Sequence, residues 1–394
     1  MKMLAISPRI PEAGKKGDQV LSFNRLSYLA RNHHIYLICF GDSERDFDAK
    51  LKLESVGISV ELIRWSNLSA VFNILRYALD TNTPLQCALF ESVAFQKAVQ
   101  SAIVEFKPDV IYAVTIRALG NIFSYRVPLF VDLIDSMALN FSRRVSMAGG
   151  LKHFVLNLEY QRLKYYEKKI AQLARCSFVV SAIDQKVIGS EKVKVLPLGV
   201  DGRIFFKNSD TRLTPIVIFT GNMNYKPNVD AILWFYRYCW DELKVSMPGI
   251  QLVIAGGNPA SAVVALRADK TVTVTGRVPS LATVINTARV SIAPMQSGSG
   301  MQFKILEAMA CGVPVVSTTL GLGDIGAKIG SDLLLADTAD SFIKSVLSLL
   351  QSDELRTKIG NAGWKYVNEH HTWDAVNADF EKSILTTLTT INSC

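Results

Sequence analysis

Gly298-Ser299-Gly300-Met301-Gln302-Phe303-Lys304-Ile305-Leu306-Glu307-Ala308-Met309-Ala310-Cys311-Gly312-Val313-Pro314-Val315-Val316 follows the short apolar run Val290–Ala293. The order reads as a strand ending near Pro294, a Gly/Ser loop, a helix beginning near Met301 and running through Phe303–Ala310, and a second strand over Val315–Thr318. A strand–helix–strand unit of this length joins parallel neighbours. Its loop also has a chemistry. The first N–H groups of a helix lack intrahelical partners and the helix start is positive, so an anion such as phosphate is favoured there. Glycines let the backbone approach it. Glu307, about one and a half turns into the helix, presents a carboxylate to hydroxyl groups. Taken alone, the turn also fits an ordinary helix start with a solvated glutamate.

Working outward, the same alternation fills the chain. The second half offers strands at Ile216–Thr220, Leu252–Ala255 and Val272–Thr275, with helices at Val229–Leu243, Val284–Ala288 and Ser341–Leu350. The first half offers Met3–Ser7, Ile35–Phe40, Val60–Ile63, Val110–Val114, Leu129–Leu133, Phe178–Val180 and Val195–Leu198, with helices such as Gln19–Arg31 and Ala94–Phe106. Short runs rich in β-branched residues are what buried parallel strands require. The expected class is α/β, with two facing, doubly wound Rossmann-like domains. Residues 1–203 form the first, 204–370 the second, and 371–394 a terminal helix packing back on the first. Ligands of such sheets bind beyond the carboxyl ends of the strands, which makes an interdomain cleft the expected site.

The chain has 394 residues, 49% hydrophobic and 20% charged, enough for two cores. No apolar run reaches the length of a membrane span, and Met1–Ser7 lacks the features of a secretory signal. Six cysteines without a Cys-x-x-Cys pair, and five histidines without ligand spacing, read as buried thiols and no metal site. Asp46 and Asp48, an Asp-x-Asp string, read as solvated charges. The net charge of +8 is concentrated: Arg143 to Arg175 holds eight basic and two acidic residues. A nucleic-acid module would carry its own basic–aromatic motif, and none is present.

Three further loops carry polar candidates. Thr220-Gly221-Asn222-Met223-Asn224-Tyr225-Lys226-Pro227-Asn228 follows the first strand of the second half, where Lys226 can neutralise a diphosphate or lie solvated. Thr275-Gly276-Arg277-Val278-Pro279 follows the third strand, with Arg277 at a phosphate or on the surface. In the first half, Pro8 to Asp18 includes Lys15, Lys16 and Gly17. Asp135, after the strand Leu129–Leu133, either takes a proton from a hydroxyl or caps the next helix.

Lys304 to Val316, with Glu307-Ala308-Met309-Ala310, Gly312 and Pro314-Val315-Val316, resembles the nucleotide-sugar motif of family 4 glycosyltransferases of the GT-B fold, the group that includes bacterial cell-envelope and exopolysaccharide enzymes. The resemblance implies that Glu307 binds the nucleotide ribose. The motif's other glutamate falls on Ser299. Lys226 matches the family's lysine in its loop, and Asn222 stands at the arginine position. Gly276, Arg277 and Val278 look like the loop that frames the base, and Gly17 matches the glycine of the first domain's loop. A histidine expected near the reacting sugar is replaced by Asp135. The resemblance thus implies catalytic roles for Asp135, Lys226 and Glu307. It implies donor contacts at Gly17, Gly221, Asn222, Arg277, Val278, Ser299, Gly300, Met301, Gln302, Lys304 and Glu307, with no metal and no cofactor beyond the donor itself.

The expected activity is metal-independent, retaining transfer from a nucleotide-diphosphate sugar to a glycan, lipid-linked or other hydroxyl acceptor. It would serve polysaccharide or glycoconjugate biosynthesis in the cytoplasm or at the inner membrane face. Phe141–Arg175, with Phe154, Leu156, Leu158, Tyr165 and Tyr166 among its basic residues, is the candidate for peripheral contact with anionic lipid. Two other readings stand beside this one, a nucleotide-sugar epimerase of the same architecture and a non-catalytic nucleic-acid or lipid binder. A dinucleotide-dependent oxidoreductase lacks its Gly-x-Gly-x-x-Gly fingerprint.

Overall fold

The computed structural model describes residues 1–13, 17–120, 122, 126–146, 148–208, 214–297 and 302–392, with the side chains of 390–392 excepted. The chain divides into two units. Unit 1 comprises residues 1–197 and 377–394, and unit 2 comprises residues 198–376.

Unit 1 is built on seven strands, β1 (Lys2–Ser7), β2 (His34–Phe40), β3 (Ile58–Ile63), β4 (Val110–Val114), β5 (Leu129–Ile134), β6 (Cys176–Val179) and β7 (Val193–Val195). They pair in parallel in the order β3-β2-β1-β4-β5-β6-β7. The order reverses between β1 and β4, which is the switch point of the sheet. Successive side chains alternate between the two faces of the sheet, so one face packs Leu4, Ile6, Ile111, Ala113 and Val131 and the other Met3, Ala5, Val110, Tyr112 and Phe130. Both faces are covered, as the near-continuous apolar strands require.

Unit 2 repeats the plan with β8 (Ile216–Thr220), β9 (Gln251–Ala255), β10 (Val272–Gly276), β11 (Val290–Ala293), β12 (Val315–Ser317) and β13 (Leu334–Leu335). The parallel order is β10-β9-β8-β11-β12-β13, with the switch between β8 and β11. Phe219, Phe235, Trp240 and Phe342 form the centre of its core. The α/β class and the two doubly wound sheets agree with the sequence reading.

The unit boundaries differ from 203/204 and 370/371. Segment 198–203 belongs to unit 2 because Val200 bridges Thr372 and donates its N–H to His371 O at 2.7 Å. A Cβ on Gly199 would lie 2.7 Å from the Trp373 ring, so these two segments lie against each other. The terminal helix Trp373–Asn392 begins in unit 2 and passes to unit 1 at residue 377. There Phe380 is fully buried against Tyr112 and Phe178, with the Arg25 guanidinium 4.7 Å from its ring centre. Arg25 in turn pairs with the buried Asp132, which also accepts from Tyr112 Oη at 2.8 Å.

Several element boundaries also moved, three of them for a visible reason. The strand expected at Val195–Leu198 is Val193–Val195. Leu196 N still reaches Val179 O, but Pro197 has no N–H to continue the ladder. The helix expected at Val284–Ala288 is Leu281–Asn286, opened by Ser280, whose hydroxyl accepts from Thr283 N. The helix expected at Val229–Leu243 starts earlier, at Lys226, with Pro227 in its first turn, and passes through a π-helical turn at Tyr236–Trp240.

Candidate functional site

The carboxyl ends of β8, β9 and β10 are stitched together through backbone alone. Gly221 N donates to Ala255 O at 3.1 Å, Met223 N to Gly257 O at 3.0 Å, and Gly256 N to Gly276 O at 3.1 Å. The chain turns there on positive φ angles, 149° at Gly221, 150° at Gly256 and 69° at Gly276. A Cβ on Gly256 would lie 1.7 Å from Gly221 O, so only glycine fits. The result is a surface of bare peptide at the strand ends.

Across the switch point, after β11, runs the helix Phe303–Ala310 with Gln302 at its cap position. Lys304 is buried, 7% exposed. Its Nζ donates to Asn228 Oδ1 at 2.8 Å and Gln302 Oε1 at 3.0 Å, lies 3.4 Å from Met295 Sδ, and sits 5.3 Å from the centre of the Phe219 ring. Asn228 completes the link, since its Nδ2 donates to Asn222 O at 3.0 Å. One ammonium therefore ties the loop after β8 to the helix after β11. Burial lowers its pKa to about 8, opposed by the attraction of Glu307. Glu307, three residues on and hence on the same helix face, is half-buried, and burial pushes its carboxyl up to about 7 while Lys304 draws it down.

The remaining expected donor residues lie in different environments. Lys226 is at the surface, its side chain 82% exposed, and donates to both oxygens of Asp230 at 2.8 and 2.9 Å. It is already paired outside the buried network. Asn222 is exposed and accepts from Asn224 N at 3.0 Å. Arg277 is exposed and Val278 half-buried. Gly17 is the exposed first residue of the helix Gly17–Leu29 in unit 1. Ser299, Gly300 and Met301, with Lys15 and Lys16, lie outside the described residues. The sequence reading missed Asn228 as the hub. Its only signal is a polar residue in the first turn of a helix, where asparagine is usually solvated.

Unit 1 has a second polar cluster at its own switch point. Arg9, after β1, donates to Asp18 Oδ2 at 3.2 Å. Arg117, after β4, donates to Gln86 Oε1 at 2.7 Å. Burial lowers the Arg117 pKa, and the Arg9 charge lowers it further while Asp18 and Asp135 oppose. Asp135 accepts from Asn140 Nδ2 at 2.8 Å, and burial raises its carboxyl pKa. The capping hydroxyl of the following helix, Met137–Ser146, is that of Ser136, which accepts from Leu139 N at 3.1 Å. Asp135 is thus left to the strand end rather than to the cap. Here the positive φ angles fall on side-chain-bearing residues, 61° at Thr115 and 67° at Ile134. Such conformations are held only where the surroundings impose them. Arg9, Asp18, Gln86 and Arg117 were not singled out from sequence, because single polar residues in loops carry no periodicity.

The basic segment resolves into the helices Met137–Ser146 and Gly150–Leu173. Part of the expected surface is interior. Arg162 and Tyr166 are buried, Arg162 donating to Ala78 O at 2.6 Å, and Glu159 accepts from Leu85 N and Gln86 N at 3.1 and 3.2 Å. Asp46, read as solvated, closes a capping box with Ser43 at the start of the helix Glu44–Ser55.

Residues 214–352 match the family model of glycosyl transferases group 1. A curated relative, an uncharacterised 44.6 kDa protein in the cps region of Klebsiella pneumoniae, is 24% identical over 165 residues, which span 39% of this chain and 42% of that protein. Among solved structures, Anabaena Alr3699/HepE in complex with UDP superimposes with a TM-score of 0.66 at 17% identity, covering 98% of this chain and all of that one. Sucrose-phosphate synthase from Thermosynechococcus elongatus gives 0.68 at 13% identity over 99% of this chain and 100% of that one. A glycosyltransferase from Rickettsia africae gives 0.70 at 11% over 98% of each. The matched span lies inside unit 2 and contains Gly221, Asn228, Lys304 and Glu307. Residues 214–352 of unit 2 are therefore similar to the glycosyl transferases group 1 family, and the chain shares the fold of the GT-B glycosyltransferase structures.

Proposed function

We propose that this glycosyltransferase moves a sugar from a nucleotide-diphosphate donor, held by unit 2, to a hydroxyl acceptor in polysaccharide or glycoconjugate biosynthesis. The observation that carries the reading is the buried Lys304, bound to Asn228 and Gln302, with Glu307 on the same helix face. A cation fixed beside a helix start is suited to a diphosphate, whose charge grows as it departs. In the transfer, the bond between the anomeric carbon and the diphosphate oxygen breaks and the diphosphate leaves with the electron pair. The acceptor oxygen bonds to the same carbon and releases its proton to a base. Preorganised positive charge serves this step without a metal ion. Glu307, as its ionised carboxylate, accepts from the ribose hydroxyls, and the bare peptide at Gly221, Gly256 and Gly276 frames the rest of the nucleotide. Retention of configuration follows the family resemblance. Asp135, with its raised pKa, is the acceptor-side base of this reading. Lys226 has the lesser role of an outer charge.

UDP is the first nucleotide to test, because it is the ligand of the HepE complexes. The HepE structure with UDP-glucose makes that sugar the first donor. The cps-region relative makes a glycan the first acceptor class. Among the described residues no helix is long and apolar enough to cross a membrane.

The test is thermal stabilisation of the purified chain by UDP and UDP-glucose in the presence of a chelator, beside Lys304→Met and Glu307→Gln. A ligand at about 100 times its dissociation constant should stabilise by about 2.7 kcal/mol, and both variants should lose that gain. Release of UDP that depends on an added acceptor separates transfer from epimerisation of the donor. A wild-type protein that no nucleotide stabilises overturns the reading.

A further inference from the structure

The turn that carries Asp135 is held by two buried carboxylates that the transfer step does not use. At the end of β5 the chain doubles back within three residues. Asp135 N donates to Leu133 O at 2.8 Å, and Ile134 between them has a φ of 67°. A β-branched residue keeps that conformation only where its surroundings impose it. Val180 N, after β6, donates to Ile134 O at 2.8 Å and holds one side of the turn. Ser136 is the other side. Its N–H donates to Asp184 Oδ1 at 2.9 Å and its hydroxyl to Glu167 Oε2 at 2.8 Å. Ala138 N adds a bond to Glu167 Oε1 at 3.1 Å. Glu167 lies on the helix Gly150–Leu173 and Asp184 on the helix Ala182–Ile188, so two elements grip one residue. Ser136, Glu167 and Asp184 are all buried.

Capping the helix Met137–Ser146 does not require this arrangement. The Ser136 hydroxyl already accepts from Leu139 N, and a neutral hydroxyl is a sufficient cap. Taking two carboxylates out of water is costly. What they do beyond the cap is fix the place of Ser136, and with it the residue before it. Asp184 also acts by charge. Burial raises the Asp135 pKa most and Asn140 lowers it; Asp184 raises it, Arg117 after β4 lowers it, and Asp18 of the helix Gly17–Leu29 raises it. Glu167, pushed up to about 7 chiefly by burial, feels Asp135 in turn.

We propose that Glu167 and Asp184 are positioning residues for the transfer, gripping Ser136 so that Asp135 stands at the end of β5 with its carboxyl turned to the acceptor. The inference rests on the reading of Asp135 as the acceptor-side base and adds the side chains through which the fold sets it.

Carbon NMR of the full chain, labelled at the aspartate carboxyl carbons, tests this without an acceptor, with Asp135→Asn to assign the signal. Asp184→Asn keeps an oxygen for Ser136 N and removes the charge, so the Asp135 midpoint should move to lower pH. Glu167→Ala and Asp184→Ala release the grip, so the Asp135 signal should leave its wild-type position, and Glu167→Gln should hold it near that position. Turnover gives a second reading, as release of UDP from UDP-glucose with octyl glucoside or water in the acceptor's place. Each alanine variant should lose about 10- to 100-fold in kcat, with the KM for UDP-glucose and the thermal stabilisation by UDP unchanged. Glu167→Gln should recover most of that loss. A purely structural role would lower the folded fraction without separating kcat from KM. Where an alanine variant does not fold, the Asp135 midpoint in Asp184→Asn decides. A midpoint that Asp184→Asn leaves in place overturns the inference. So do alanine variants that keep the wild-type kcat while Asp135→Asn loses it. Wild-type turnover in Asp135→Asn would instead remove the base reading, and the inference with it.

Discussion

The two switch points solve one problem of backbone geometry with different residues. In unit 2, the turns at the strand ends fall on Gly221, Gly256 and Gly276, and the surface they leave is peptide. In unit 1, comparable left-handed positions fall on Thr115 and Ile134, and the surface is made of side chains, Arg9, Arg117 and Asp135. Peptide N–H and C=O groups suit a part common to many ligands, such as a nucleotide diphosphate. Side chains suit a partner that must be told from others. Under the proposed function, unit 2 would supply the generic recognition and unit 1 the selectivity.

The sharpest way to break this comparison is to give unit 2 a side chain. Gly256→Ala places a carbon 1.7 Å from Gly221 O, so unit 2 should lose about 4 kcal/mol or more, read as a lower urea midpoint by tryptophan fluorescence. A near-neutral result would mean that the stitched loops are not rigid. Next in size, Lys304→Met should cost about 100-fold or more in kcat/KM and weaken UDP binding far more than uridine binding. Lys226→Ala should cost less than about tenfold, since an exposed ion pair contributes little. Equal losses would return the diphosphate to the outer lysine.

Titration gives a third test. Glu307 ionises as pH rises through about 7, and Lys304 loses its proton above about 8. UDP affinity should therefore peak between these values. Glu307→Gln should flatten the acid limb and Lys304→Met the alkaline one. The two units also differ in where the acid sensitivity of stability lies. In unit 1, burial pushes Glu167 up to about 7 although Ser136 Oγ and Ala138 N donate to it. A carboxyl raised above its unfolded value stabilises the fold at low pH, and that stability fades as pH climbs from about 4.5 through 7. Glu167→Gln should remove this slope from the unfolding free energy of unit 1. The smallest effect is expected for Thr115→Gly, where relief of an unfavourable backbone conformation offsets lost side-chain contacts, leaving stability within about 1 kcal/mol.

Much of the fold was legible. The helix Phe303–Ala310 was read in its place, with a start near Met301, because a Gly-rich loop, an apolar helix and a Pro-Val-Val strand follow without interruption. Among the described residues every strand but β13 was found, because buried parallel strands are apolar on both faces, whereas the two residues Leu334–Leu335 are too short to show a pattern. What sequence hid was burial within a pattern. Lys304 and Lys226 both sit near glycine loops, and only the fold shows that one is inside on Asn228 and the other outside on Asp230. The helix Asn67–Tyr77 was not read from sequence, and even its apolar period at Leu68, Val71, Phe72 and Leu75 says nothing about which face points inward. The boundary at 197/198 was missed because a pairing between Val200 and Thr372 spans residues far apart in sequence.

The passage of the terminal helix into unit 1 has a consequence for biosynthesis. A ribosome delivers residues 198–376 in full before it delivers Phe380 and Ile384, which close one face of the first sheet. The half of the protein that begins first must therefore finish last. Until then Tyr112 and Phe178 lack their cover, and the nascent chain presents an apolar sheet face to chaperones and to other nascent chains.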